Sequence, residues 1–269
     1  MGILPFRGVT VWLRDATIAV LALMVGGTAS AEGVWRLPSS KAPAQAAPPA
    51  WTGDARGFAA CAHLFPAPPP MPATPGALRA LCFNEFAVLH SGDTKTPVYV
   101  VQRLNARQLQ AARELKRKDK FYAEGRLPRA ERAELSDYKH SGYSRGHMAP
   151  TGDMATAEGK AQSFSLANMV PQDIEHNGGA WNDIEQDTRA YIRRTQGDVF
   201  VITGPVFAPP VRTVGQGRVR VPSALFKLVY DPGTGRSWAH WQDNRGGTRA
   251  GQPISYTELV RRTGLAFLP

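Results

Sequence analysis

No stretch of this chain is apolar for long enough to cross a bilayer as an ordinary helix, which needs about 20 such residues. The most apolar segment, residues 18–25, is far shorter. Cysteine is scarce: only Cys61 and Cys82 occur, with no paired histidines beside them, so a tetrahedral zinc site does not fit. No internal repeat is present, which argues against a stacked-repeat architecture. Acid is under-supplied, with 22 Asp and Glu against 32 Lys and Arg and a net charge of +10 over 269 residues. That surplus suits a polyanionic partner, because basic surface steers phosphate backbones. Solubility alone is the blander use of the same residues.

The N-terminus has the layout of an export signal. Arg7 and Arg14 precede the apolar segment, Gly26 and Gly27 follow, and Ala29-Ser30-Ala31 forms an Ala-x-Ala site. Residues 1–31 therefore read as a signal peptide, and the mature chain is expected in the periplasm or outside the cell, with no membrane attachment. Removal takes Arg7, Arg14 and Asp15 and leaves a net charge of +9. Behind an export signal, an even pair of cysteines suggests a Cys61–Cys82 disulfide, which would add roughly 3 kcal/mol in the chain-entropy model. Two free buried thiols are the alternative. Residues 32–52 read as a flexible Ala/Pro-rich linker. Residues 53–80 form a Pro-rich, disulfide-tied lead-in, and 81–269 the main domain.

Within that domain, strands are expected over 83–89 and 97–104, the second rich in β-branched and aromatic residues. A basic helix is expected over 106–120, a short one over 127–135 behind Pro128, and a loop or hairpin turn over 136–146. A short helix is expected over 158–163. The clearest helix runs over 177–195, where Asn177, Trp181, Glu185 and Arg189 step by four and share one face. Further strands are expected over 199–202, 225–230 and 237–241. Residues 103–132 hold ten basic residues against four acidic ones, and a solvated helix face explains such a run as readily as substrate binding does.

The densest chemistry lies in Ser144-Arg145-Gly146-His147, followed thirty residues on by Asn177, Trp181 and Glu185. His147 can serve as a base. Asn177 can hold a hard divalent cation through its amide oxygen, with water in the other positions. Arg145 and Arg189 can fork onto phosphate in a way that Lys cannot. Each has a plainer role: a structural hydrogen bond for His147, a helix cap for Asn177, a surface pair with Arg189 for Glu185, and core packing for Trp181.

Taken together, Ser144 to Pro150 resembles the Asp-Arg-Gly-His-x-Ala-Pro motif of the DNA/RNA non-specific endonucleases, the ββα-metal or His-Me finger enzymes. Asn168-Met169-Val170-Pro171-Gln172 resembles the family's Asn-x-x-Pro-Gln segment, and Asn177 to Glu185 its Asn-x-x-x-Trp-x-x-x-Glu helix. Thr203 to Phe207 and Val221-Pro222-Ser223 with Lys227 resemble its later strands. The resemblance covers roughly residues 80 to 265 and implies an α+β fold, with a central mostly antiparallel sheet flanked by helices. It implies hydrolysis of DNA and RNA phosphodiesters to 5′-phosphate and 3′-hydroxyl ends. His147 would be the general base and Asn177 the ligand of Mg²⁺, with Mn²⁺ or another divalent cation as alternatives. Glu185 would accept hydrogen bonds from water around the cation, and Asn168 would hold the active-site loop. Arg145 and Arg189 would contact phosphate, with Arg117 a further candidate and Arg103 behind it. A neutral imidazole is required of a base, and an unperturbed one titrates near ~6.5, so activity should fall in acid. The resemblance leaves open a homodimer and an inhibitor protein of unstated identity.

Ser144 departs from the pattern, which has Asp there; a hydroxyl keeps a hydrogen bond but not the charge. A non-catalytic nucleic-acid-binding protein, for example one used in uptake, is the reading that this departure encourages. Gly142-Tyr143-Ser144-Arg145-Gly146 also fits the Gly-x-Ser-x-Gly elbow of serine hydrolases, with His176 or His240 and Asp231 as partners. That elbow needs a buried strand before it and a helix after it. The polar residues 136–140, with Pro150 and Gly152 behind, speak against both.

Overall fold

The computed structural model describes residues 55–73, 76–116 and 120–269. The expected signal peptide and linker, and Arg117, lie outside the described residues. In chain order the elements are β1 (Leu78–Cys82), β2 (Ala87–Ser91), β3 (Thr96–Leu104), α1 (Ala106–Glu114), α2 (Leu135–Tyr138), β4 (Tyr143–His147), α3 (Ala157–Gln162), β5 (Met169–Asp173), α4 (Ile174–Gly178), α5 (Ala180–Arg194), β6 (Val199–Val206), β7 (Thr213–Val214), β8 (Val219–Arg220), β9 (Ala224–Asp231), β10 (Arg236–Asp243) and α6 (Tyr256–Thr263). Short 3-10 segments precede β1 (Ala55–Leu64) and lie between β4 and α3 (Thr151–Asp153).

Six strands make one sheet in the order β1-β2-β3-β6-β9-β10, every neighbouring pair antiparallel. The period-2 alternation of a strand sorts its side chains onto two covered faces. Leu89, Tyr99, Val101, Ile202, Phe226, Leu228 and Ala239 pack with Tyr256 and Leu259 of α6 and with Phe58, Cys61 and Leu64 of the lead-in. On the other face Val88, Val100 and Leu225 meet Trp181 and Ile184 of α5, Val170 of β5, and Met148, Ala149 and Met154. The catalytic candidates therefore belong to the second face. Cys61 and Cys82 are joined as a disulfide, Cα atoms 5.7 Å apart, which ties the lead-in to the sheet's edge strand.

Several expectations change. The strand expected over 83–89 is interrupted by a turn at residues 83–86, because Phe83 N–H bonds back to Phe86 C=O (2.9 Å) and the two rings stack at 4.3 Å. The basic helix begins at a reciprocal Asn105–Gln108 cap but ends at Glu114, where Leu115 is extended. The buried Lys160 Nζ donates to Ala112 C=O (3.1 Å) and Leu115 C=O (2.9 Å), so it occupies the carbonyls at that end. Residues 127–135 form a three-residue 3-10 turn, Arg129–Glu131, rather than a helix. The loop expected over 136–146 holds most of α2 and nearly all of β4.

The helix expected over 177–195 is two helices. Gly179, at φ −106° and ψ −110°, separates α4 from α5. A Cβ there would sit 2.9 Å from the Glu175 carbonyl oxygen, so the tight joint needs glycine. Asn177 therefore does not continue the face of Trp181, Glu185 and Arg189. It lies on the short helix before the break.

Candidate active site

A two-stranded ribbon and a helix pair build the site. β4 and β5 pair antiparallel, with Ser144 opposite Gln172, Gly146 opposite Val170 and His147 opposite Met169. Alternation places Arg145 and His147 on one face of β4, and Ser144 and Gly146 on the other. A Cβ on Gly146 would collide with the Gln172 side chain, which explains the glycine between the two candidate residues. Gln172 is fully buried and contacts His176 Nδ1 on α4 through Nε2 at 3.2 Å. The ribbon's second face is thus a structural seat for α4.

His147 is half-buried and rests against Phe121 (centroids 5.7 Å) and Phe164 (5.3 Å). Arg145 is exposed, its guanidinium carbon 4.1 Å above the same Phe121 ring. Phe121 is itself held edge-on to Phe164, beside backbone bonds from Tyr122 N–H to Phe164 C=O and from Leu166 N–H to Tyr122 C=O. One aromatic platform thus sets the arginine and the histidine side by side.

Asn168 has no exposure and a fully used amide. Its Oδ1 accepts from Ala149 N–H (2.9 Å), and its Nδ2 donates to Ala149 C=O and Ser163 C=O (both 2.9 Å). It pins the backbone two residues past His147.

Asp173 caps α4, its Oδ1 accepting from His176 N–H at 3.0 Å, and Gly179 precedes α5, so Asn177 is not the cap of either helix. Asn177 is half-buried, and no other described residue holds its carboxamide by a hydrogen bond. Among the described residues, no three His, Cys, Asp or Glu side chains cluster as a metal site. A cation on the hard amide oxygen of Asn177 would complete its shell with water, a donor set that suits a hard divalent ion such as Mg²⁺.

Below the ribbon, α5 carries a charge cluster. Trp181 is core. The Glu185 side chain is 14% exposed and burial drives its pKa up to about 7, against the pull of Lys227 and Arg189. It is not the surface pair of the plainer reading. Arg189 is also buried: Nη1 meets Asp153 Oδ1 at 2.9 Å, and Nη2 lies 3.8 Å from Glu185 Oε2. Of the two arginines expected on phosphate, Arg145 is thus open to solvent and Arg189 is turned inward. Arg103 is ion-paired to Asp198 (2.5 Å) and bonds His63 C=O.

Ser144 lies in a strand that faces Gln172 and is followed by extended backbone and a 3-10 turn, so no strand–turn–helix elbow exists around it. Sequence reasoning did not single out Asp153 or Asn244, and it quoted Gln172 only within the Asn-x-x-Pro-Gln segment, with no role of its own. Asn244 is buried; its Oδ1 accepts from Asp173 N–H (2.8 Å), and its Nδ2 donates to Pro171 C=O and Pro222 C=O. It fastens β5 to the loop before β9 from a position with no local signal.

Residues 69–269 match the model of a protein family described as DNA/RNA non-specific endonuclease. Relatives include mitochondrial nuclease EXOG of Homo sapiens, 32% identical over 161 residues, covering 56% of this chain and 43% of that protein. Nuclease C1 of Cunninghamella echinulata is 36% identical over 132 residues (45% of this chain, 52% of the relative). Mitochondrial endonuclease G of Bos taurus is 29% identical over 232 residues (78% and 76%). The chain spans under half the length of the EXOG relatives it matches. A solved structure of an EndoG/EndoGI complex superposes with a TM-score of 0.61 at 22% identity, over 72% of this chain and 86% of that one, and so shares the fold.

Proposed function

The chain belongs to the DNA/RNA non-specific endonuclease family, and from that premise we propose that it is an exported, divalent-cation-dependent endonuclease that hydrolyses both DNA and RNA. One observation carries the reading: Arg145 and His147 share a face of β4 on one aromatic platform, in a ribbon whose opposite face seats the helix that bears Asn177. His147 takes the proton of the attacking water. Arg145, exposed and splayed over Phe121, binds phosphate. Glu185 accepts hydrogen bonds from water beside Asn177. Arg189, buried and fixed by Asp153, adds positive charge to the cluster beneath the site rather than a phosphate contact. A divalent cation on Asn177, Mg²⁺ in the first instance, would stabilise charge on the phosphoryl and leaving oxygens. None of these groups requires a base edge or a 2′-hydroxyl, which supports cleavage of both nucleic acids with a steep salt dependence.

The test is digestion of plasmid and RNA by the purified protein with Mg²⁺ or with EDTA, beside His147→Ala. Loss of both substrates with Mg²⁺ alone, abolished in a folded His147→Ala variant that still binds, is the expected result. Unchanged cleavage in that variant would sink the mechanism. Intact substrates with a salt-sensitive gel shift would favour the binding-protein reading that Ser144 encourages.

A further inference from the structure

Beneath α5, the sheet carries a buried cation with no surface role. Lys227 sits in the middle of β9, paired with Thr203 of β6 on one side and His240 of β10 on the other. It is 1% exposed. A buried ammonium is expensive unless it is bonded and balanced. Its Nζ donates one of three protons to Thr203 Oγ1 at 2.9 Å and lies 5.2 Å from the centre of the Trp181 ring. Trp181 and Glu185 are one helical turn apart on α5, so the ammonium lies under the face that carries Glu185.

The charges around Glu185 are unequally available. Arg189 is nearer, but it is committed to Asp153 at 2.9 Å and reaches Glu185 only at 3.8 Å. Asp153 adds a like charge. The described groups whose charges act on the Glu185 carboxyl are therefore Lys227 from β9, Arg189 from α5 and Asp153 from the turn at Thr151–Asp153. Of the two cations, Lys227 is the one without a carboxylate bonded to it. His240, beside it in the sheet, is held neutral at ordinary pH, its pKa pulled to about 4 by burial and by the Lys227 charge, and so adds no competing cation.

We infer that Lys227 is a positioning residue of the active site: a buried counter-ion, anchored by Thr203, that favours the ionised, hydrogen-bond-accepting form of Glu185 against the burial that opposes it. It acts through space and touches no substrate. Burial lowers the affinity of Lys227 for its proton while Glu185 and Asp153 support it, as a balanced cluster requires. The catalytic consequence rests on the endonuclease reading above; the electrostatic one does not.

The experiment is a titration of the Glu185 side-chain carboxyl by ¹³C NMR in the full protein, assigned by its absence in Glu185→Gln. Wild type is compared with Lys227→Met and with Thr203→Val, which removes only the anchor. Loss of a neighbouring opposite charge moves a carboxyl by about one pH unit or more. Lys227→Met should therefore raise the Glu185 midpoint by about that much, and Thr203→Val should raise it by less. An unmoved midpoint in a folded Lys227→Met protein overturns the assignment. If that variant does not fold, an unmoved midpoint in Thr203→Val does so. In the nuclease assay the acidic limb should move up with the midpoint, and kcat at pH 7 should fall about fivefold, one pH unit being tenfold in protonation. KM for DNA should stay put. A wild type that cuts nothing refutes the endonuclease reading and leaves the NMR result to decide the role of Lys227.

Discussion

Glu185 and Ser144 show how much a single side chain depends on its surroundings. Burial raises the Glu185 carboxyl to about 7 in the fold, against an ordinary value near ~4.3 in the unfolded chain. A raised acid binds its proton more tightly when folded. Its contribution is therefore fully present below the unfolded value and is lost as pH rises through about 7. Glu185→Gln, which cannot ionise, should gain melting temperature relative to wild type at pH 8 and gain little at pH 5; equal shifts at both pH values would contradict this. Ser144 faces Gln172, on the opposite side of β4 from His147. An aspartate there changes the charge beside the α4 seat and leaves the His147 face of the strand alone. We expect Ser144→Asp to fold and to cleave at least as fast as wild type in the plasmid assay. A folded but inactive variant would mean that this ribbon is built around serine. The motif residues were legible because their types and spacing carry chemistry. The pairings of Asp153 with Arg189 and of Thr203 with Lys227 were not, although Thr203 and Lys227 both stand in family-like strands, because the partners lie 36 and 24 residues apart and follow no local period.

At the scale of elements, the ribbon β4–β5 and the joint at Gly179 decide the geometry. Gly146 lets Gln172 lie flat across β4 and reach His176. Gly146→Ala must push that side chain aside, and overpacking of this kind costs about 1–3 kcal/mol. A lower melting temperature is expected, and with it weaker cleavage, since α4 and Asn177 lose their seat; thermal melts and the plasmid assay read the two effects. A wild-type melt would show that the Gln172 contact is dispensable. Periodicity located α5 because Trp181, Ile184, Thr188 and Ile192 recur on its buried side. It missed the break because Gly179 acts through a close approach to a backbone oxygen, which apolar spacing does not record. The strand β4 was equally hidden: Tyr143, Ser144, Arg145 and Gly146 carry no alternating apolar pattern, and the strand is held by its partner β5.

Across the whole molecule, the sheet is the frame and the lead-in is part of its core. Phe58, Cys61 and Leu64 pack with β2, β3 and β9 residues, and the Cys61–Cys82 disulfide closes that segment onto β1. Replacing both cysteines by serine should cost roughly 3 kcal/mol, read as a lower denaturant midpoint, with a somewhat steeper slope because the uncrosslinked denatured chain exposes more surface. A stability equal to wild type would show that packing alone holds the lead-in. The six-stranded frame was visible in outline from its β-branched and aromatic runs. Which strands lie side by side was not visible, since β3 and β6 are neighbours separated by residues 105–198.

That separation has a kinetic consequence. Arg145, His147, Asn168, Asn177, Glu185 and Arg189 all fall within the one excursion between β3 and β6, and Lys227 lies beyond it. The hairpins β1–β2–β3 and β9–β10 close over short loops, whereas joining β3 to β6 must first overcome the entropy of a long one. Until that pairing is made, the excursion has no sheet to lie on and Glu185 has no Lys227 beneath it. On the endonuclease reading, a newly made chain would gain the means to cut only once that long-range pairing is complete.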